Sequence, residues 1–155
     1  MEIIKGLLCN DMLVCSFVAY FIAQLLKILT GFFHEGKWTP SLIWSSGGMP
    51  SSHSSTVCAL TFSAARVVGV ASPIFAVCFV LASIVMYDAT GVRRAAGEQA
   101  KILNHIISDL FSGNPEYTEK ALKELIGHTP LQVAVGAILG VLIGLFFPSL
   151  APLFV

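Results

Sequence analysis

Residues 12–33, which follow Asn10-Asp11, hold Gln24 and Lys27 as their only strongly polar side chains. A helix needs about 20 mostly apolar residues to cross the hydrocarbon core of a bilayer, and this run is long enough. Lys5 ahead of an apolar stretch also fits a secretory signal. The length of the run and the lack of a small-residue cleavage site before Lys27 favour a retained span instead. Three more apolar runs follow, at 54–71, 74–90 and 131–147. Composition points the same way: charged residues are 12% of the 155, where a soluble domain carries about 25%. Apolar residues make up 55%, too many for a disordered chain, and the mean hydropathy is +0.81. A soluble domain this small must cover a large surface with polar groups, and this sequence lacks them. A formal net charge of zero also argues against a nucleic-acid partner. The expected fold is all-α: one integral-membrane domain over residues 1–155, a polytopic bundle of about four transmembrane helices with amphipathic cytoplasmic helices.

Local signals refine this reading. The run 54–71 is dense in Ala, Ser, Thr and Val, small residues that let membrane helices approach closely. Ser72-Pro73 reads as an N-cap followed by a first-turn proline, starting a new helix. Gly136, Gly140 and Gly144 recur at four-residue spacing and predict a close-contact face, covered by another span or by a second copy in a homo-oligomer. Residues 92–127 form a polar helical insert. There Val92, Ala96, Leu103, Ile106, Ile107 and Leu110 recur at helical spacing, Asn114-Pro115 starts a second short helix, and Gly127 can end it. Cys9, Cys15, Cys58 and Cys78 lie in or beside apolar runs without metal-ligand spacing and read as apolar residues.

Four spans put both termini on one side of the membrane and gather most polar residues on the other. Lys27, Lys37, His53, Asp88, Arg93, Arg94, Lys101, Lys120, Lys123 and His128 fall on that second side, including seven of the nine basic residues. The positive-inside rule then makes it cytoplasmic.

The segment Gly47-Gly48-Met49-Pro50-Ser51-Ser52-His53-Ser54 stands directly before the second span. Its glycines allow a tight turn, its serines can cap the helix, and amides at a helix start attract anions. His53 at that mouth is either an interfacial residue or a proton donor to a leaving oxygen. His128, in Gly127-His128-Thr129-Pro130, occupies the equivalent place before the fourth span. Lys27 either snorkels or binds an anion. Asp88, a carboxylate at a span end, is either half of a structural ion pair or a functional group. Arg93 and Arg94 either anchor topology at the interface or fork onto phosphate oxygens.

Pro50-Ser51-Ser52-His53 resembles the Pro-Ser-Gly-His motif of type 2 phosphatidic acid phosphatases, relatives of the vanadium haloperoxidases. The chain is similar to their divergent branch of small, haloperoxidase-related membrane proteins. The likeness runs through Gly47–Ser54, Tyr87–Arg94, Gly97–Ala100, Leu103-Asn104 and Gly127–Pro130. It implies a metal-independent and cofactor-free phosphatase in which His128 attacks phosphorus and His53 protonates the leaving group. Lys27 takes the place of the family's phosphate-binding lysine, yet His34-Glu35 stand where Arg-Pro is found. Around His128, Ala121 and Leu122 replace Ser-Arg, and Gln132 replaces the aspartate that orients the histidine. Gln132 also completes Thr129-x-x-Gln132, a capping box for the last span. Asp88 is then a candidate substitute for the carboxylate, and Arg93 and Arg94 for the arginine.

Two readings follow. In one, the protein hydrolyses a lipid phosphate or diphosphate through a phosphohistidine, with His128, His53 and Asp88 catalytic. Lys27, Ser51, Ser52, Arg93 and Arg94 then hold the phosphoryl oxygens. In the other, it binds phosphate or an anionic lipid headgroup without turnover. The topology behind both has a direct test. A cysteine placed at Ser72 is expected to react with a membrane-impermeant thiol reagent applied outside intact cells, and one at Ser112 to stay unlabelled.

Overall fold

The computed structural model describes residues 2–35, 48–110 and 128–149. Gly47 and the second half of the insert, 111–127, with Asn114-Pro115 and Gly127, lie outside the described residues, as do the side chains of Arg93 and Arg94. Among the described residues there are helices and short connections and no strand. A short α1 (Glu2–Leu8) precedes α2 (Asp11–Glu35). It goes beyond the sequence expectation, which began at the long apolar run. Asn10 separates the two helices and its Oδ1 accepts from the Leu13 amide at 3.1 Å, an N-cap for α2.

Helix α3 (Ser52–Val67) begins where Ser51 turns extended (φ −69°, ψ 115°) and its hydroxyl oxygen accepts from the Ser54 amide. It stops four residues short of the apolar run's end, because Gly69 adopts φ +83° and reverses the chain. Helix α4 (Pro73–Thr90) starts as expected, with Ser72 Oγ accepting from the Phe75 amide at 3.2 Å and Pro73 in the first turn. Gly91 closes α4 through its amide to the Tyr87 carbonyl at 2.9 Å. Its own carbonyl already accepts from Ala95 at 3.0 Å, so α5 (Val92–Leu110) follows almost without interruption. Helix α6 (Pro130–Phe146) is the last.

The centre of the bundle is α3, which packs against α2, α4 and α6, whereas α5 packs mainly on α4. This position explains the composition of α3. Its buried residues are Ser52, Ser54, Ser55, Cys58, Ala59, Thr61, Ser63 and Ala64, small enough for three neighbours to close in. Large apolar side chains point outward instead, with Phe17, Phe21 and Leu25 on α2, Val77, Val80 and Ile84 on α4, and Ile138 and Leu142 on α6 all exposed. Two stretches, Asp11–Phe33 and Pro73–Leu110, are long and apolar enough to cross a membrane on their own; Pro130–Phe146 is apolar but shorter.

The register of the bundle follows from a few contacts. Ser55 Oγ donates to the Ala19 carbonyl at 3.3 Å, and Thr61 Oγ1 to the Cys78 carbonyl at 3.1 Å. From these points the antiparallel neighbours carry Lys27 about 12 Å and Asp88 about 15 Å toward the end where α3 begins. Helix α6, by contrast, runs parallel to α3. A Cβ on Gly136, Gly140 or Gly144 would meet the carbonyls of Ser51, Ser55 and Ala59 respectively, four residues apart on both helices. The glycine face that the sequence left open between another span and a second copy is therefore filled by α3 of the same chain. A second copy could use it only by displacing α3.

Gly140→Ala tests this seam. Its methyl would fall on the Ser55 carbonyl and 2.8 Å from Cys58 Cβ. Overpacking a tight contact costs typically 1–3 kcal/mol, and a backbone carbonyl cannot rotate away. The expected result is a lower Tm in detergent with an unchanged particle size in light scattering.

Candidate functional site

At the end of the bundle where α3 and α6 begin, helix starts and chain crossings bring four sequence candidates together: Lys27, Ser51, His53 and His128. The last two stand at adjacent helix entrances, and their ring centroids are 6.5 Å apart. They differ in setting, His53 being exposed and His128 only 3% exposed.

Gln132 fixes which tautomer of neutral His128 fits its surroundings. Its Oε1 lies 3.1 Å from the Thr129 amide, while its own amide donates to Thr129 Oγ1 at 3.3 Å. This is the capping box the sequence offered as one of two readings of Gln132. The other reading holds as well, because the same Oε1 is 3.2 Å from His128 Nδ1. Since the Thr129 N–H can only donate, the atom facing it must be the amide's oxygen and not its nitrogen. An oxygen of this kind has no proton to give, so Nδ1 carries the hydrogen. In the neutral ring Nε2 then holds the lone pair. The orienting position for which Asp88 was a candidate is thus taken, at Nδ1, by Gln132.

The main chain of Gln132 ties the two helices together at the same place. Its carbonyl accepts from the Ser51 amide at 3.1 Å, joining the N-cap of α3 to the first turn of α6. Ser51 is fully buried, and its hydroxyl oxygen accepts from the Ser54 amide at 3.4 Å and lies 3.1 Å from Ser54 Oγ. Ser51 is therefore engaged in starting α3, and Ser52 is 2% exposed. The opening turn of α3 presents its first backbone amides at this same end of the bundle. Asp88 is partly buried at the C-terminal end of α4, and Arg93 and Arg94 follow at the start of α5.

Lys27 is 1% exposed, so the snorkelling alternative does not describe it. Gly48, in the short described segment that leads into α3, lies against the Lys27 stem. Thr30, one helical turn further on, has its hydroxyl within hydrogen-bond reach of both the Lys27 and the Met49 carbonyls, and so pins that segment to α2. Sequence reasoning missed Thr30. The available signal was a hydroxyl three residues after Lys27, on the same face of the helix.

The profile of the Divergent PAP2 family matches residues 8–143 of this chain. The uncharacterized membrane protein YuiD of Bacillus subtilis (strain 168) is 41% identical over 149 residues, covering 90% of this chain and 94% of its own length. No solved structure matches the chain significantly.

Gly48 decides how closely the loop can cover Lys27. It adopts φ +99°, and a Cβ there would stand 2.9 Å from Lys27 Cγ and 3.1 Å from Cδ. Gly48→Ala is expected to cost on the order of 1–2 kcal/mol through the backbone alone. It is also expected to push the lysine stem aside. The check is a lower Tm in detergent.

Proposed function

The chain belongs to the Divergent PAP2 family, and on that premise we propose that it is a membrane phosphatase acting on a lipid phosphate or diphosphate. The observation that carries the reading is the state of His128: a buried imidazole with Nδ1–H held by Gln132, beside the exposed ring of His53. In this reading His128 Nε2 attacks phosphorus, an N–P bond forms and the P–O bond to the lipid breaks. His53 gives its proton to the departing oxygen. Water then attacks the phosphohistidine with His53 as base, releasing inorganic phosphate and restoring both rings. Lys27, the opening amides of α3, and Arg93 and Arg94 hold the phosphoryl oxygens. Charge neutralisation and positioning supply most of the catalysis in such transfers.

The proposal includes four membrane crossings. Helices α2 and α4 are long and apolar enough by themselves, and α3 and α6 cross beside them with their small faces turned to one another. Seven of the nine basic residues then lie on the side of the histidines, which makes that face cytoplasmic. The composition of α3 fits a helix that meets neighbours more than lipid.

The test is phosphate release by purified protein from a panel of lipid phosphates and diphosphates, with and without vanadate. His128→Ala is expected to abolish turnover. His53→Ala is expected to slow an alkyl phosphate by about 10²–10⁴-fold, and a nitrophenyl phosphate far less, because that leaving group needs little protonation. A non-catalytic headgroup binder is favoured by the replacement of Arg-Pro and Ser-Arg in the sequence. It gives the opposite pattern: no release in the wild type, and headgroup binding weakened by Arg93→Ala and Arg94→Ala but not by either histidine change.

A further inference from the structure

Helix α5 divides along its length into two faces. At about 100° per residue, Ala96, Ile102, Leu103, Ile106, Ile107 and Leu110 fall within one arc of about 140°. Lys101, Asn104, His105, Ser108 and Asp109 fall within the opposite arc. Gln99 is the one polar residue from 95 to 110 that breaks into the apolar side. The bundle does not cover that side: Ile102, Leu103, Ile106 and Leu110 are between 47% and 73% exposed. The less exposed positions, Gly97, Ala100, Asn104 and Ile107, line up along one flank of the helix instead.

The place of α5 in the chain indicates what covers its apolar face. Helix α4 has 18 residues, about 27 Å of helix, close to the roughly 30 Å of a bilayer's hydrocarbon core. Val77, Val80 and Ile84 are exposed along α4, and so is Tyr87 near its end. A ring with a polar tip at the end of a span suits the level of the lipid headgroups. Five residues after Tyr87, α5 begins, past Gly91, whose φ of −102° and ψ of −87° leave the helical region. Carried straight on, Pro73–Leu110 would reach about 57 Å and hold the apolar face of α5 in water.

We propose that α5 lies in the plane of the membrane surface, its apolar arc sunk at the boundary between headgroups and acyl chains, with Lys101, His105 and Asp109 turned to water. An arc this wide exceeds the narrow stripe that a coiled-coil partner fills. It matches the face of an interfacial helix. With three basic and two acidic residues in α5, charge nearly balances and the apolar face carries the seating. Positions 93 and 94 open this helix, so its depth also sets where that end of the proposed site meets lipid. The inference rests on α4 crossing the membrane and not on turnover.

The test is nitroxide scanning of the full chain in phosphatidylcholine vesicles. Cys9 is the one cysteine that is not buried, and Cys9→Ser gives the background. Leu103→Cys, Ile106→Cys, Lys101→Cys and His105→Cys carry the label in turn, with Val80→Cys and Ile84→Cys on α4 as references. Collision with oxygen, which concentrates in lipid, is compared with collision with a water-soluble nickel chelate. The oxygen-to-nickel ratio is expected to be several-fold higher at 103 and 106 than at 101 and 105, approaching that at 80 and 84. Equal nickel access at all four α5 positions would overturn the proposal. So would exclusion of both reagents at 103 and 106, with dipolar broadening if a second copy covers the face and without it if another part of this chain does. High nickel access at 80 and 84 as well would remove the span itself, and the inference with it.

Discussion

The structure depends on one backbone contact, the approach of the glycine face of α6 to the carbonyls of α3. The two helices run parallel, and Gly136, Gly140 and Gly144 meet Ser51, Ser55 and Ala59 in turn. Without side chains between them, the helix entrances are held at a fixed separation and height. His53 sits on one entrance and His128 on the other, so the 6.5 Å between their rings is set by a seam that contains neither. The amide of Ser51 and the carbonyl of Gln132 close the seam at its upper end.

The histidines draw different properties from this arrangement. His128 precedes the first turn of a capped helix, is buried, and has one nitrogen engaged by an amide oxygen. His53 lies inside the first turn of α3 and is exposed. A buried ring of fixed tautomer suits a group whose lone pair must point one way. An exposed ring suits one that must exchange protons with water. The buried Lys27 stem, kept under the loop by Gly48 and Thr30, adds a cation at the same end of the bundle.

Much of this was legible in the sequence, for identifiable reasons. Helix starts were readable because capping is local chemistry: Ser72-Pro73 and Thr129-x-x-Gln132 cap the helices they were expected to cap. The glycine spacing revealed a close-contact face but not its occupant, since a four-residue repeat does not say which neighbour fills it. The end of α3 was misplaced because the apolar run continues to Ala71 while the backbone turns at Gly69, and hydrophobicity carries no record of a positive φ. Gln132 was read as either a cap or a partner of His128. Sequence spacing treats those as alternatives, whereas one carbonyl oxygen has lone pairs for both. Thr30 was missed because its partner, Met49, is distant in the chain, and its spacing from Lys27 alone does not reveal that contact.

The parallel course of α3 and α6 also bears on how the molecule is made. Two adjacent parallel helices cannot be joined by a tight turn, and here the chain leaves through α4 and α5 before it returns. A ribosome delivers Lys27 and His53 well before His128, and α3 is made with one small-residue face uncovered. Until the last helix slides in alongside it, the two imidazoles do not yet share a site. The docking of the last helix is therefore also the step that brings them together.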